Sequence, residues 1–386
     1  MWAPTDPTVD TGALLASPRV AVDYGLELLT PDLNVVADIT TDLAAGGTVE
    51  RDMAATVHGK VTLTLARELV WGVDLVRPYM TVTDGRVTAR WNRGVYALTT
   101  PRREKIGQSP QTWTVTGWDR VYLLNRQVGA DYTVPAGTGY LDAVYAVFTA
   151  AGLSGVRLDS TAQGKTLPAV KTWPLVAMST NPDQTSTPVT WLRVVNDLLS
   201  AIGYRGVYAD ADGVFRSEPY ASPATRSVEY VFDTSSLRSV PVGVDRALTV
   251  DVWAIPNRWV FICQNPPEGV TPDTSNGLVY TVDNASDGPT SQAPYPGGRG
   301  LTWPATYSYD AADAASLKAQ GDTRVAADKR ASATFGVTTA TFPGAGHADV
   351  YAYIDEEAGM TRNVLVSKWS MPLDGGDVSW SWDIIT

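Results

Sequence analysis

Only two imidazoles are present in this 386-residue chain, His58 and His347, so histidine-dependent acid–base or metal chemistry has few places to sit. His347 stands in Gly344-Ala345-Gly346-His347-Ala348-Asp349, where a His-x-Asp pair could orient the ring or share a metal ion. One such pair is far short of a ligand set. His58 falls on the polar side of an alternating stretch and reads as a surface residue. No Gly-x-Ser-x-Gly elbow offers a serine nucleophile. Asp355-Glu356-Glu357 could supply the paired carboxylates of a glycosidase, but Ala358-Gly359 follows at once and makes a solvated turn the simpler reading. Asp210-Ala211-Asp212-Gly213 has the opening of a calcium loop, yet the twelfth position is Ala221 instead of a bidentate glutamate, so a hairpin turn is expected. Gly297-Gly298-Arg299-Gly300 lacks the lysine and the strand–helix context of a phosphate loop and reads as a flexible loop tip. Cys263, the single cysteine, lies in the apolar run Trp259 to Cys263 and is expected to be a buried strand residue. No catalytic, cofactor-binding or metal residue is assigned, and no cofactor is expected.

The composition narrows the field further. A formal charge of −11 lacks the basic footprint that tight nucleic-acid binding needs. No apolar run is long enough to span a bilayer as a helix, and Met1-Trp2-Ala3-Pro4 does not open a signal peptide, so synthesis in a cytoplasm is expected. The 33 glycines and 25 prolines point to many turns and few long helices. Thirteen tryptophans and seventeen tyrosines suit cores, sugar platforms and interfaces alike, and those beside predicted strands, such as Trp91, Trp118, Trp259 and Trp369, are assigned to packing.

The elements that must hold these residues divide the chain into four. Residues 1–18, rich in Pro, Thr and Asp, read as an arm ordered by a partner. Residues 19–128 read as β: Val57, Gly59, Val61, Leu63 and Leu65 alternate with His58, Lys60, Thr62 and Thr64, and Asp84-Gly85 turns a hairpin between Tyr79–Val82 and Val87–Trp91. Residues 129–231 read as an α+β insert. A helix is expected from Gly139 to Ala151, an extended loop from Asp159 to Pro188, and a second helix bearing Trp191, Val195, Leu198 and Ile202 on its buried stripe. Thr187 is the expected cap of that second helix, Pro188 suits its first turn, and Gly203 ends it ahead of a hairpin through Asp210–Gly213. Residues 232–386 return to β, with a long loop over 264–300 interrupted by a strand from Leu278 to Asp283, and a helix over 310–331 weakened at Gly321. The fold class is therefore a β-rich α+β chain: two small antiparallel β-barrel domains flanking an insert.

Four strings also resemble one family. Gly47 to Asp52 with Trp71 to Tyr79, the helix and hairpin from Thr190 to Tyr220, Asp251 to Arg258, and Leu373-Asp374-Gly375-Gly376 with its following strand together resemble tail-tip (baseplate) hub proteins of long-tailed actinobacteriophages. The loop over 264–300 departs from that pattern. The resemblance implies a structural virion protein at the distal tail tip, a homotrimer whose tube-like barrels close the tail tube. It would contact the distal tail protein, the tape-measure protein and other tip proteins or fibres, and form part of the channel through which DNA passes without specific binding. Acidic groups along such a bore would keep DNA from adhering. A receptor- or carbohydrate-binding tail protein is the first alternative and a tail-associated cell-wall hydrolase the second. The ending Ile384-Ile385-Thr386 on a strand is expected to leave no space for an added hydrolase domain. One stability test follows from the helix pattern alone: Leu198→Asp should place an unpaired carboxylate on the buried stripe and cost several kcal/mol, read as a large drop in thermal midpoint.

Overall fold

The chain is described by a computed structural model over residues 1–17, 20–105, 111–177, 187–264, 266, 269–311, 313–330 and 333–385. The expected arm boundary at 18 and 19, the centre of the 159–188 loop, Ala331 at the end of the predicted helix and Thr386 lie outside the described residues.

Alternating sequence makes the first β region. Its strands are β1 (Ala21–Leu29), β2 (Val35–Asp38), β3 (Leu43–Asp52), β4 (Gly59–Leu65), β5 (Leu75–Thr83), β6 (Thr88–Asn92), β7 (Tyr96–Glu104) and β8 (Thr112–Asp119). Along β4, Gly59, Val61, Leu63 and Leu65 are buried and the residues between them half-buried, the period of two that the apolar pattern specifies. β5 and β6 form the expected hairpin, with Gly85 at φ 85° in its turn.

The two β regions do not stand apart. The C-terminal strand Met360–Pro372 pairs antiparallel with β3, from Lys368 opposite Asp52 to Pro372 opposite Thr48. This ladder joins both regions into one sheet of 14 strands, whose main path runs from Val242–Val250 through Ala333–Thr339, Val378–Ile384 and Met360–Pro372 into β3, then β4, β8, β7, β5, β1 and β2. The sheet is almost wholly antiparallel, but Tyr230–Asp233 pairs parallel with Val350–Asp355. A single apolar core follows the sheet across the junction, holding Leu26, Val61 and Met80 together with Phe232, Trp369 and Trp382. The expected closure into two barrels is not made by the ladders among the described strands, because the main path ends unpaired at β2 and at Val242–Val250.

The insert has its own core, built from helices Tyr140–Ala150 and Trp191–Ala201 with the Tyr208–Ala209 and Phe215–Ser217 hairpin. The second helix is capped by Thr190, whose hydroxyl accepts from Arg193 N–H at 3.3 Å, and not by Thr187. Thr187–Pro188 pairs instead with Val176–Ala177 as a short strand. More of this helix is buried than one stripe. Leu192, Val194 and Leu199 join Val195 and Leu198 in the core, while Asn196 and Asp197 on the polar side accept bonds from Val207 N–H and the Trp173 indole. Gly203, at φ 77°, ends the helix as expected.

A further unit emerges inside 232–386. Strands Arg258–Cys263, Val279–Asp283 and Pro304–Tyr309 form a separate sheet against helix Ala314–Arg330, around Trp259, Phe261, Cys263 and Leu317. Phe261 lies in a row of near-parallel rings with Tyr280 at 5.9 Å and Tyr307 at 5.7 Å. The helix is unbroken at Gly321, because that glycine is an approach point: a Cβ there would come within 2.7 Å of the Phe261 ring and 2.8 Å of Tyr280.

The N-terminal segment is ordered by the chain itself, which corrects the expectation of a partner-dependent arm. Asp10 caps a short helix, Thr11–Leu15, and Trp2 packs edge-on against Trp369 at 6.0 Å. The Gly321 contact gives a direct check of the added unit. Gly321→Val should destabilise it by about 1–3 kcal/mol through overpacking, seen as earlier loss of protection in strands 258–263 and 279–283 by hydrogen exchange.

Candidate functional site

The residues singled out in the sequence come together in one place and disperse in the others. β3 carries Arg51 on the same face as Val49, and this guanidinium is 1% exposed. Its Nη2 donates to the Ala209 carbonyl of the insert hairpin at 2.8 Å, and its Nε donates to His347 Nδ1 at 3.1 Å. Asp119, at the end of β8, lies 4.0 Å from Nη1, and the Trp2 ring centre lies 5.2 Å from Cζ. Four segments distant in sequence therefore meet on one side chain. Gly59 permits the approach from below: its N–H donates to Asp119 at 2.8 Å, and a Cβ would crowd that carboxylate at 2.9 Å.

His347 is held on three sides. It stacks on Tyr208 at 4.3 Å with rings 4° from parallel, meets His58 edge-to-face at 4.9 Å, and accepts from Arg51. An Nδ1 that accepts leaves the ring proton on Nε2, so the imidazole is neutral. Burial first, then the Arg51, His58 and Arg205 charges, hold its pKa well below the ordinary value. Burial, with Arg51 and Arg205, pushes His58 down to about 4. The expectation of a surface His58 is thus corrected: the two histidines form one neutral pair at the seam. Asp119 is pushed the other way. Burial raises its carboxyl to about 6, against the pull of Arg51 and of the Gly59 and Val121 N–H groups.

Two more buried arginines make similar ties. Arg93 reaches the Pro343 and Ala345 carbonyls, and burial lowers its pKa to about 10. Arg120 donates to the Gly213 carbonyl at 2.7 Å and the Ser154 carbonyl at 3.1 Å, fastening β8 to the insert. Sequence reasoning singled out none of the three arginines. The available signal was register, since Arg51 follows Val49 by two residues and so shares its buried face.

The remaining candidates are structural. Asp349 does not meet His347; it accepts from Gly346 N–H at 2.8 Å and from the Tyr351 hydroxyl at 2.6 Å. Asp210 accepts from Asp212 and Val214 N–H and pairs with Arg216, fixing the hairpin turn. Asp355 is buried and bound by Arg246, the Tyr353 hydroxyl and Ala358 N–H, while Glu356 and Glu357 are exposed in the turn. Gly297–Gly300 is a packed loop and not a loose tip. Arg299 donates to the Ile255 carbonyl at 2.7 Å, and a Cβ on Gly298 would strike Ser291 at 2.4 Å. Cys263 is buried and unpaired. Among the described residues no group of three or more His, Cys, Asp or Glu side chains is placed to hold a metal ion.

The surface adds a second class of feature. Strand Val242–Val250, at one end of the sheet, exposes Val244, Leu248 and Val250, and Trp253 and Trp303 follow as an exposed ring pair at 6.2 Å. β2, at the other end, exposes Val35 and Val36. Apolar side chains on uncovered edges are the ordinary mark of contact with another chain.

Solved tail proteins share this architecture. The chain is similar to the tail protein from Neisseria meningitidis, with a TM-score of 0.60 and 12% identity over 94% of this chain and 96% of that one. It is also similar to the 43 kDa tail protein of prophage MuSo2 from Shewanella oneidensis, with a TM-score of 0.55 and 11% identity over 94% and 98% of the two chains. A chain of the Francisella PdpA-VgrG complex matches at a TM-score of 0.52 and 9% identity, covering 96% of this chain but 53% of that one. No protein-family model matches, and no curated protein matches.

The histidine pair gives a pH test with a defined sign. His58 is depressed from 6.5 to about 4, so the stability it contributes is complete above about 6.5 and is lost as pH falls through its folded value. The loss attributable to it is up to about 3 kcal/mol. Asp119 acts in the opposite sense between 3.8 and about 6, so the comparison is with His58→Gln, which should show a shallower decline in denaturant midpoint between pH 6.5 and 4 than the parent.

Proposed function

We propose that this chain is a structural component of a phage tail tip, a hub that closes the distal end of the tail tube and lines part of the DNA path. The observation that carries the reading is fold likeness over nearly the whole chain, 94% in each case, to two tail proteins of similar size. A likeness of one domain alone would be compatible with many roles; an end-to-end match in the order of strands, insert and strands is much more restrictive.

The uncovered edges support an assembled state. A sheet that ends in exposed apolar strands on both sides has surface for a neighbour at each end, and a closed ring of copies would cover both. Three copies, each contributing two tube-like β regions, would give the pseudo-sixfold wall that the family resemblance implies. Neighbours in the tip would be the tail tube, the distal tail protein and the tape-measure protein, with fibres or other tip proteins outside. The proposed role is assembly: Asp355, of the Asp355-Glu356-Glu357 set weighed as acids or bases, is engaged by Arg246 and the Tyr353 hydroxyl, and Asp349, weighed as a partner of His347, by Gly346 N–H and the Tyr351 hydroxyl. An actinobacterial host is the source that the sequence strings favour.

The reading is tested by locating the chain in an intact particle by cryo-electron microscopy, with three copies expected at the distal tail end. Density elsewhere in the particle, or a purified chain that sediments as a monomer at every concentration and that Leu248→Lys does not alter, would reject it. In the assembled state Leu248→Lys should weaken association by at least about tenfold while leaving the thermal midpoint of the subunit within about 1 kcal/mol of the parent.

A further inference from the structure

A cleft of about 420 Å³ lies between the insert and the unit around Phe261. One wall is the stretch from Leu167 to Pro174 with the polar side of helix Trp191–Ala201, and the other is Gln264 with residues 308–311. Polar side chains meet across this seam in an unbroken series. Lys171 pairs with Asp310 from wall to wall, and its Nζ lies 4.9 Å from the centre of the Trp173 ring. The Trp173 indole donates to Asp197 at 2.8 Å, and Arg193 Nε approaches the same carboxylate oxygen at 3.9 Å. A second pair, Lys165 with Asp313 at 3.6 Å, holds the walls together beside the cleft.

These groups are open to a ligand. The Arg193 and Asp197 side chains are 51% and 38% exposed, and Gln264 and Ser308 on the facing wall are exposed as well. Trp173 is buried, so its part is to hold Asp197 in place. The charged lining is two cations, Lys171 and Arg193, and two anions, Asp197 and Asp310, a balance that favours no multiply charged ion. A wholly apolar ligand would strip water from these groups without replacing its bonds. What they offer is donors beside acceptors: guanidinium next to carboxylate on one wall, an amide and a hydroxyl on the other. A hydroxyl on a ligand donates and accepts at one atom, so neighbouring hydroxyls can bridge Arg193 and Asp197. A peptide group divides these roles between two atoms. Half-buried Tyr309 and exposed Pro168 and Pro174 add apolar surface for the C–H face of a sugar ring.

We infer that this cleft binds an uncharged saccharide of one or two rings, held by Arg193, Asp197, Gln264 and Ser308. Its volume is within the range of small-molecule sites. The two ion pairs that span the seam fix the walls in advance, so little ordering is left for binding. The inference stands on these side chains alone and does not depend on the tail-tip reading.

The test is saturation-transfer NMR on the full chain, with lactose, maltose, cellobiose and diacetylchitobiose titrated separately to millimolar concentration. Sialyllactose serves as the charged probe and acetyl-trialanine amide as the peptide probe. A saturable signal from at least one of the four uncharged disaccharides is expected. Arg193→Ala should weaken that binding by about tenfold, the loss of one hydrogen bond to a charged group, with the thermal midpoint unchanged because the side chain is half-exposed. Ser308→Trp, at an exposed position on the facing wall, should fill the cleft and abolish the signal. No saturable response to any of the four disaccharides, a response that both substitutions leave intact, or saturation by sialyllactose or the peptide alone would overturn the inference.

Discussion

A guanidinium buried to 1% exposure has lost nearly all its water, at a penalty of several kcal/mol that only well-placed acceptors can offset. Arg51 finds them in the insert hairpin, in the His347 loop and, more distantly, in Asp119. Because each acceptor belongs to a different part of the chain, no part can move away without leaving a donor of this buried cation unsatisfied. The cost of such a break is about 1.5–3 kcal/mol, a sizeable fraction of a typical folding free energy. The relative placement of sheet, insert and C-terminal loop is in this sense set by one side chain, and Arg93 and Arg120 repeat the device on either side.

The ladder between β3 and Met360–Pro372 gives these contacts a rigid base. Five residue pairs carry the sheet across the junction, and the aromatic core of Trp369, Trp380 and Trp382 continues beneath the seam from the aliphatic core of β4 and β5. Buried rings at 5–6 Å centre spacing, as between Trp380 and Trp382 or Phe232 and Trp382, supply area and geometry together. The junction is thus continuous in both hydrogen bonding and apolar packing, and it behaves as interior, not as an interface between domains.

How far the sequence displayed this depended on range. Local patterns were legible: the period of two in β4, the helix at Trp191–Ala201, the glycine that ends it and the Asp210–Gly213 turn are all short-range consequences of side-chain direction and backbone freedom. The β-rich class with its α+β insert followed from them. The Thr190 cap was missed because two threonines stand near the helix start and only the path of the preceding strand selects between them. The unit around Phe261 was missed because its central strand is a short apolar run like many others, and nothing local says that it pairs only with Val279–Asp283 and Pro304–Tyr309. Gly321 looked like a helix breaker because its reason lies on a ring sixty residues earlier. The pairing of His58 with His347 is invisible to any window along the chain. It exists because β3 and β4 bring one ring to a seam that the C-terminal loop closes with the other.

The span of these contacts also sets the order in which the molecule can be completed. Ala209 lies 158 residues beyond Arg51, and His347 lies 296 residues beyond it. On a ribosome adding about 5–20 residues per second, His347 emerges roughly 15–60 s after Arg51. Until the residues after His347 have followed, the β3 edge has no Met360–Pro372 partner, and the strand waits with its cation short of an acceptor. That cation is a safeguard during the wait, because a charge pointing inward from an open edge discourages the pairing of one nascent chain with another until the correct strand arrives.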